Sequence, residues 1–151
     1  MASFEQDLTI FEDDTLMLQY TFTDLENTFG ASTAAWWGAV SSSGFHPGGD
    51  PPSTIPGLTV EKASNNWSGM PVGFPTSGIT VVTNDTIVRV FFTQADFGAS
   101  STPNTTGFQT NAEYYCELVL SNNGQDSTSV VAATGKLFIS ASVFSAAGYR
   151  P

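Results

Sequence analysis

Residues 112–120 read Ala112-Glu113-Tyr114-Tyr115-Cys116-Glu117-Leu118-Val119-Leu120. Ala112, Tyr114, Cys116, Leu118 and Leu120 fall on one side of an extended chain, Glu113, Tyr115 and Glu117 on the other. Successive side chains of a strand point to opposite faces, so this stretch reads as a strand with one buried face. The same period recurs on either side of it. Leu16, Leu18, Tyr20 and Phe22 alternate with Thr15, Met17, Gln19, Thr21 and Thr23. Leu8 to Phe11, Thr33 to Val40 (with Trp36 and Trp37), Ile79 to Val82 and Thr86 to Thr93 are further strands, the last two joined by the turn pair Asn84-Asp85. Val130 to Ala133 and Lys136 to Val143 close the set around Thr134-Gly135. Helical periodicity is almost absent. About seven or eight short antiparallel strands imply an all-β sandwich or barrel.

The chain has 151 residues, which fits one domain over 1–151. Its core strands are expected within 8–40 and 79–143, with a loop insertion at 41–78. Long loops are expected at 41–57, 62–78 and 95–111, where Gly, Pro, Ser, Thr and Asn interrupt the alternation. With 40% apolar and 13% aromatic residues the chain can bury a core. Only 12% is charged, so Ser, Thr, Asn, Gln and Gly must cover much of the surface.

Charge and cysteine usage narrow the function. Fourteen acidic against four basic side chains give a formal charge of −10. Lys62, Arg89, Lys136 and Arg150 cannot form a basic stripe, so no nucleic-acid partner is expected. No apolar run approaches the roughly 20 residues of a membrane helix, so no membrane partner is expected either. The acidic start, Met1 to Asp7, has no apolar h-region and does not read as a secretory signal. Cys116 is the single cysteine, which excludes an internal disulfide.

No residue set points to catalysis or to a cofactor. His46, the single histidine, sits in the loop segment Phe45-His46-Pro47, a poor place for a locked general base, and reads as an exposed loop histidine. One His and one Cys do not make a zinc site. Glu113 and Glu117 share a strand face, and a solvated outer face outweighs a glycosidase-like pair there. Glu12-Asp13-Asp14 could join Asp24 or Glu26 around Ca²⁺ but lacks the spacing of a calcium loop; an acidic turn is the plainer reading. Cys116 reads as a small buried hydrophobe. The chain is therefore expected not to be an enzyme.

Trp67, Met70 and Phe74 belong to no alternating strand. Either their loop folds back over the sandwich or it offers anchors to a neighbouring subunit, and the sequence leaves both open. Phe45, Phe97, Phe108 and Tyr149 are the other candidate contacts. Trp36, Trp37, Tyr114 and Cys116 are the expected core signature.

The run Ala112 to Cys116 resembles the sixth strand of immunoglobulin domains, in which a Tyr two residues before the Cys bonds its hydroxyl to upstream backbone. That resemblance implies an Ig-like sandwich with Trp36 or Trp37 packed near Cys116. The second-strand cysteine is missing, its place taken by Leu or Tyr within 16–22. More widely, the chain resembles the Ig-like modules of tailed-phage virion proteins, such as the start of baseplate upper proteins. The resemblance rests on Asp13-Asp14-Thr15 before the strand from Leu16, the Trp-bearing strand Thr33 to Val40, the strand Tyr114 to Leu120 and the closing Gly135-Lys136-Leu137. It covers about residues 8–40 and 79–143. Asp13 stands where the family usually has Gly, and the second, host-facing domain that usually follows the family module is not expected here.

These features lead to the expectation of a virion structural protein, an Ig-like capsid decoration or cement protein. It would be made in the host cytoplasm and placed on the outer particle surface, where a charge of −10 does not oppose packaged DNA. Its partners would be other capsid or tail proteins and further copies of itself. A tail or baseplate adaptor is one alternative. Another is a carbohydrate-binding sandwich in which Trp36, Trp37 or Trp67 stacks on sugars; an acidic hydrolase is a third.

Overall fold

The computed structural model describes residues 4–5, 7–11, 16–23, 33–42, 58–64, 66–67, 78–82, 87–93, 96–97, 107–122 and 129–141. Among them are nine strands: β1 (Phe4–Glu5), β2 (Leu8–Phe11), β3 (Leu16–Thr21), β4 (Ala34–Ser41), β5 (Leu58–Ala63), β6 (Ile79–Val82), β7 (Ile87–Phe92), β8 (Ala112–Ser121) and β9 (Ser129–Ser140). They form two sheets. One runs β1-β9-β8-β4-β5, with β2 also on β9; the other runs β3-β7-β6. The described fold is an all-β sandwich.

Alternation sets which side chains meet between the sheets. Tyr114, Cys116, Leu118 and Leu120 of β8 face inward beside Trp37 and Ala39 of β4 and Leu137 and Ile139 of β9. The smaller sheet answers with Tyr20 of β3, Val88, Val90 and Phe92 of β7, and Ile79 of β6. Trp37 lies edge-on to Phe92 at 5.0 Å, and Phe108 packs against Tyr114 at 5.2 Å. Such pairs add about 0.5–1.5 kcal/mol each beyond the area they bury. The Trp37 Nε1–H donates to the Tyr20 hydroxyl at 3.2 Å, tying the two sheets through a buried polar contact.

Four features depart from the sequence reading. Leu58-Thr59-Val60-Glu61-Lys62-Ala63 is strand β5, inside the stretch 41–78 read as loop. It pairs with β4 from Trp36–Ala63 to Val40–Leu58. Thr134-Gly135 is no turn: β9 is continuous, because Thr134 pairs with Glu117 and Gly135 with Cys116. β1 and β2 run parallel, not antiparallel, to β9. Phe108, placed in the loop 95–111, is 1% exposed and sits within the aromatic cluster. The turn pair Asn84-Asp85 lies outside the described residues.

The chain enters β8 through a tight corner. Asn111 has a left-handed backbone (φ 61°), which Asn tolerates better than most residues, and its N–H donates to the Ile139 carbonyl at 2.7 Å. The Tyr114 hydroxyl accepts the N–H of Gln109 at 2.7 Å and so braces this corner from inside. Tyr114→Phe leaves that N–H without its side-chain partner in a site that is 4% exposed at the tyrosine. The expected cost is about 1 kcal/mol or more in a denaturant melt; an unchanged midpoint would show that the corner does not depend on the hydroxyl.

Candidate functional site

The expected site residues separate into three groups. Trp37, Tyr114 and Cys116 lie in the main core, and Trp36 is half-buried on the outer face of the larger sheet. Trp67 and Phe108, offered as contact residues, are 6% and 1% exposed. The chain itself covers them, so they are core residues and not anchors for a partner. Trp67 packs with Ala34, Ala63, Trp36 and Val119 in a small cluster outside the larger sheet, and its N–H donates to the Ser64 carbonyl. Phe97 is partly buried against Phe108, ring centroids 5.7 Å apart. Phe45, Met70, Phe74 and Tyr149 lie outside the described residues, as do His46, the acidic turn 12–14, Asp24 and Glu26. Among the described residues no three His, Cys, Asp or Glu side chains group closely enough to hold a metal ion. No described helix is long and apolar enough to cross a membrane.

Cys116 is a packing residue. Its Sγ–H donates to the Gly135 carbonyl at 3.5 Å. Burial, reinforced by the carboxylates of Asp7 and Glu117, pushes its thiol from 9.0 up to about 12. Tyr20 is pushed up by burial, and the Cys116 thiol adds to the effect. Tyr115, on the outer face, donates its hydroxyl to Glu117 at 3.3 Å and is raised from 10.0 to about 12 by burial and by that carboxylate.

A second polar feature was not foreseen from the sequence. Lys62 pairs with Trp37 in the β5–β4 ladder and therefore points inward, between the sheets. Its Nζ donates to both Asp96 carboxylate oxygens, at 2.8 and 2.9 Å, with side-chain exposures of only 14% and 12%. The ammonium also stands 5.8 Å from the centre of the Phe92 ring. Asp96 is held by the Thr93 N–H at 2.9 Å. The pair clamps the edge of the larger sheet to the segment following β7. A readable signal existed: Val60 and Lys62 share one strand face, and a lysine on an apolar face needs a counter-charge.

The outer face of the larger sheet carries Trp36, whose Nε1–H donates to Glu61 at 2.7 Å. Burial holds the Glu61 carboxyl above its usual range, and the indole N–H partly offsets this. Trp36 lies over Gly38, where a Cβ would collide with the ring, so the strand carries glycine where the indole crosses it. Farther along this sheet, Phe11 and Phe138 are 49% and 38% exposed. On the opposite side of the sandwich, Met17 and Phe91 are cross-strand partners, 44% and 40% exposed. Their neighbours Gln19 and Arg89 are polar and bond to each other at 3.3 Å.

Two outcomes follow from the buried polar groups. Asp96→Ala should cost about 3 kcal/mol, because it strands a mostly buried ammonium. Lys62→Met with Asp96→Leu should recover most of that loss; a double variant as unstable as the single one would show that packing, not charge, is at stake. The second outcome concerns alkali. The folded chain holds the Cys116 and Tyr115 protons above 9.0 and 10.0, where the unfolded chain releases them. Their contribution to stability is complete below these values and is lost as pH climbs toward about 12. The denaturation midpoint should therefore fall between about pH 8 and about pH 11, and native Cys116 should resist a thiol reagent that labels the unfolded chain at once. Rapid native labelling would contradict the burial of this thiol.

No family model matches the chain, and no curated protein matches its sequence. Function is therefore a matter of the surfaces just described.

Proposed function

We propose that the chain is an Ig-like β-sandwich without enzymatic activity. In this reading it serves as a structural protein of a tailed-phage particle, on the outer surface, seated through the outer face of β3 and β7. Strand order supports the Ig-like part. Taking β2 to β9 as A, B, C, C′, D, E, F and G gives sheets B-E-D and G-F-C-C′, the partition of immunoglobulin domains. The first strand lies beside G instead of beside B. Tyr114, two residues before Cys116 and bonded to upstream backbone, stands where that fold has its tyrosine corner.

The assembly part is carried by one observation: Met17 and Phe91 form an exposed apolar pair on a sheet face, bordered along the strands by the polar pair Gln19 and Arg89. A small apolar centre inside a polar rim is how contact surfaces are built. Each of the two is already more than half covered, so completing their burial yields only about 1 kcal/mol apiece. A contact that weak is useful when many copies bind one lattice and their gains combine. A repeated decoration protein meets that condition. The virion part rests on the sequence resemblance, and the net charge of −10 favours the side away from packaged DNA.

Mass spectrometry of purified particles tests the whole: the chain should be present, and its absence would sink the virion reading. Met17→Ser with Phe91→Ser tests the face. This variant should melt close to the parent protein yet no longer sediment with particles. Particles that retain the variant would leave the virion role standing and remove this face from it.

A further inference from the structure

The outer face of the larger sheet holds a second, chemically different feature. Asp7, Leu8 and Thr9 with Glu113, Lys136 and Phe138 line an open cleft of about 250 Å³. Register explains their meeting. Thr9 and Glu113 are the partners of Phe138 on its two sides, so the three form one row across β2, β9 and β8. Asp7 lies one row along, its Oδ1 accepting the Lys136 N–H at 3.0 Å. Phe138 is thus an exposed ring at the floor, with two carboxylates, one amine and one hydroxyl around it. Among the described residues, no hydrogen bond or ion pair engages the Glu113 carboxylate, the Lys136 amine or the Thr9 hydroxyl.

We propose that this cleft binds a neutral hexopyranose. Such a ring has an apolar C–H face, which Phe138 can cover, and a rim of hydroxyls that both donate and accept. Asp7 and Glu113 accept from sugar hydroxyls, and Lys136 donates to one. The floor is a three-stranded ladder and not a loop, so little order has to be acquired on binding. Two carboxylates against one amine leave the cleft negative, which rejects acidic sugars such as uronates. The site differs from the sugar contacts expected at the tryptophans. Trp37 and Trp67 are 0% and 6% exposed and cannot stack on a ligand, and Trp36 already covers Gly38. The cleft faces away from Met17 and Phe91, so a copy seated through that pair leaves it open. The inference stands whether or not particles contain the chain.

Amide chemical shifts of the full chain, titrated separately with methyl glucoside, methyl galactoside, methyl mannoside and glucuronate, test it. At least one neutral glycoside should shift Thr9, Glu113, Lys136 and Phe138 saturably, and glucuronate should not. Phe138→Ala should weaken binding about tenfold or more, and Glu113→Gln should weaken it several-fold, both at an unchanged melting temperature. Phe138 is 38% exposed, so its removal does not open the core. Four results would overturn the proposal: no saturable shift with any glycoside, shifts centred on Trp36, equal or tighter binding of glucuronate, or parental affinity in both variants.

Discussion

The two sheets are held together at Trp37. A sandwich of this size with a single cysteine has no covalent tie between its layers, so packing must supply the whole of it. Trp37 is fully buried on β4, meets Phe92 of the opposite sheet edge-on and donates its indole N–H to Tyr20 of β3. One residue thus carries both an apolar and a polar link across the interior. Phe108 and Tyr114 extend the cluster to the corner that feeds β8. Cys116 sits close enough to Tyr20 to add to the upward push that burial gives the Tyr20 hydroxyl. The arrangement stays intact in reducing surroundings, at the expense of depending on close fit around a few large rings.

Lys62 and Asp96 show the opposite economy. Burying two charges gains little over burying two apolar side chains of like volume. What the pair adds is position. The ammonium reaches from β5 to the segment after β7 and must face a carboxylate, so the edge strand can dock in one register only. Gly78 fits the same geometry: its φ is +87°, and a Cβ there would stand 2.6 Å from the Lys62 side chain. A chain with 12% charged residues uses one of its four cations for this clamp.

Much of the layer structure was legible because strand alternation is local. The inward set Tyr114, Cys116, Leu118, Leu120 and the set Tyr20, Phe22 follow from period alone. What the sequence hid was long-range. β5 lies between Gly- and Pro-rich stretches, and only its pairing with β4 makes a strand of it. Thr134-Gly135 has turn chemistry, yet Cys116 and Glu117 hold it extended. Trp67 and Phe108 are aromatic residues in polar surroundings, a pattern shared by buried plugs and exposed anchors; burial in the folded chain decides between them. The exposed pair Met17–Phe91 was half-visible, since Met17 interrupts the polar side of an otherwise regular strand. The cleft around Phe138 could not be read, because it joins positions 7–9 to 113 and 136–138 through a parallel pairing that no local signal encodes.

The two outer faces also differ in what they can bind, and the cause is their composition. The face of β3 and β7 offers two flexible or flat apolar groups between neutral and cationic neighbours, Gln19 and Arg89. Among the described residues it carries no carboxylate, so it can lose water there without stranding one. The face of β2, β9 and β8 places Asp7 and Glu113 around Phe138, with Phe11 exposed farther along. Covering it with an apolar surface would desolvate those carboxylates, which costs free energy. A ligand that brings its own hydroxyls does not incur that cost, because it replaces the lost water contacts one for one. The roles proposed for the two faces, protein docking on one side of the sandwich and polar ligand binding on the other, follow from that difference.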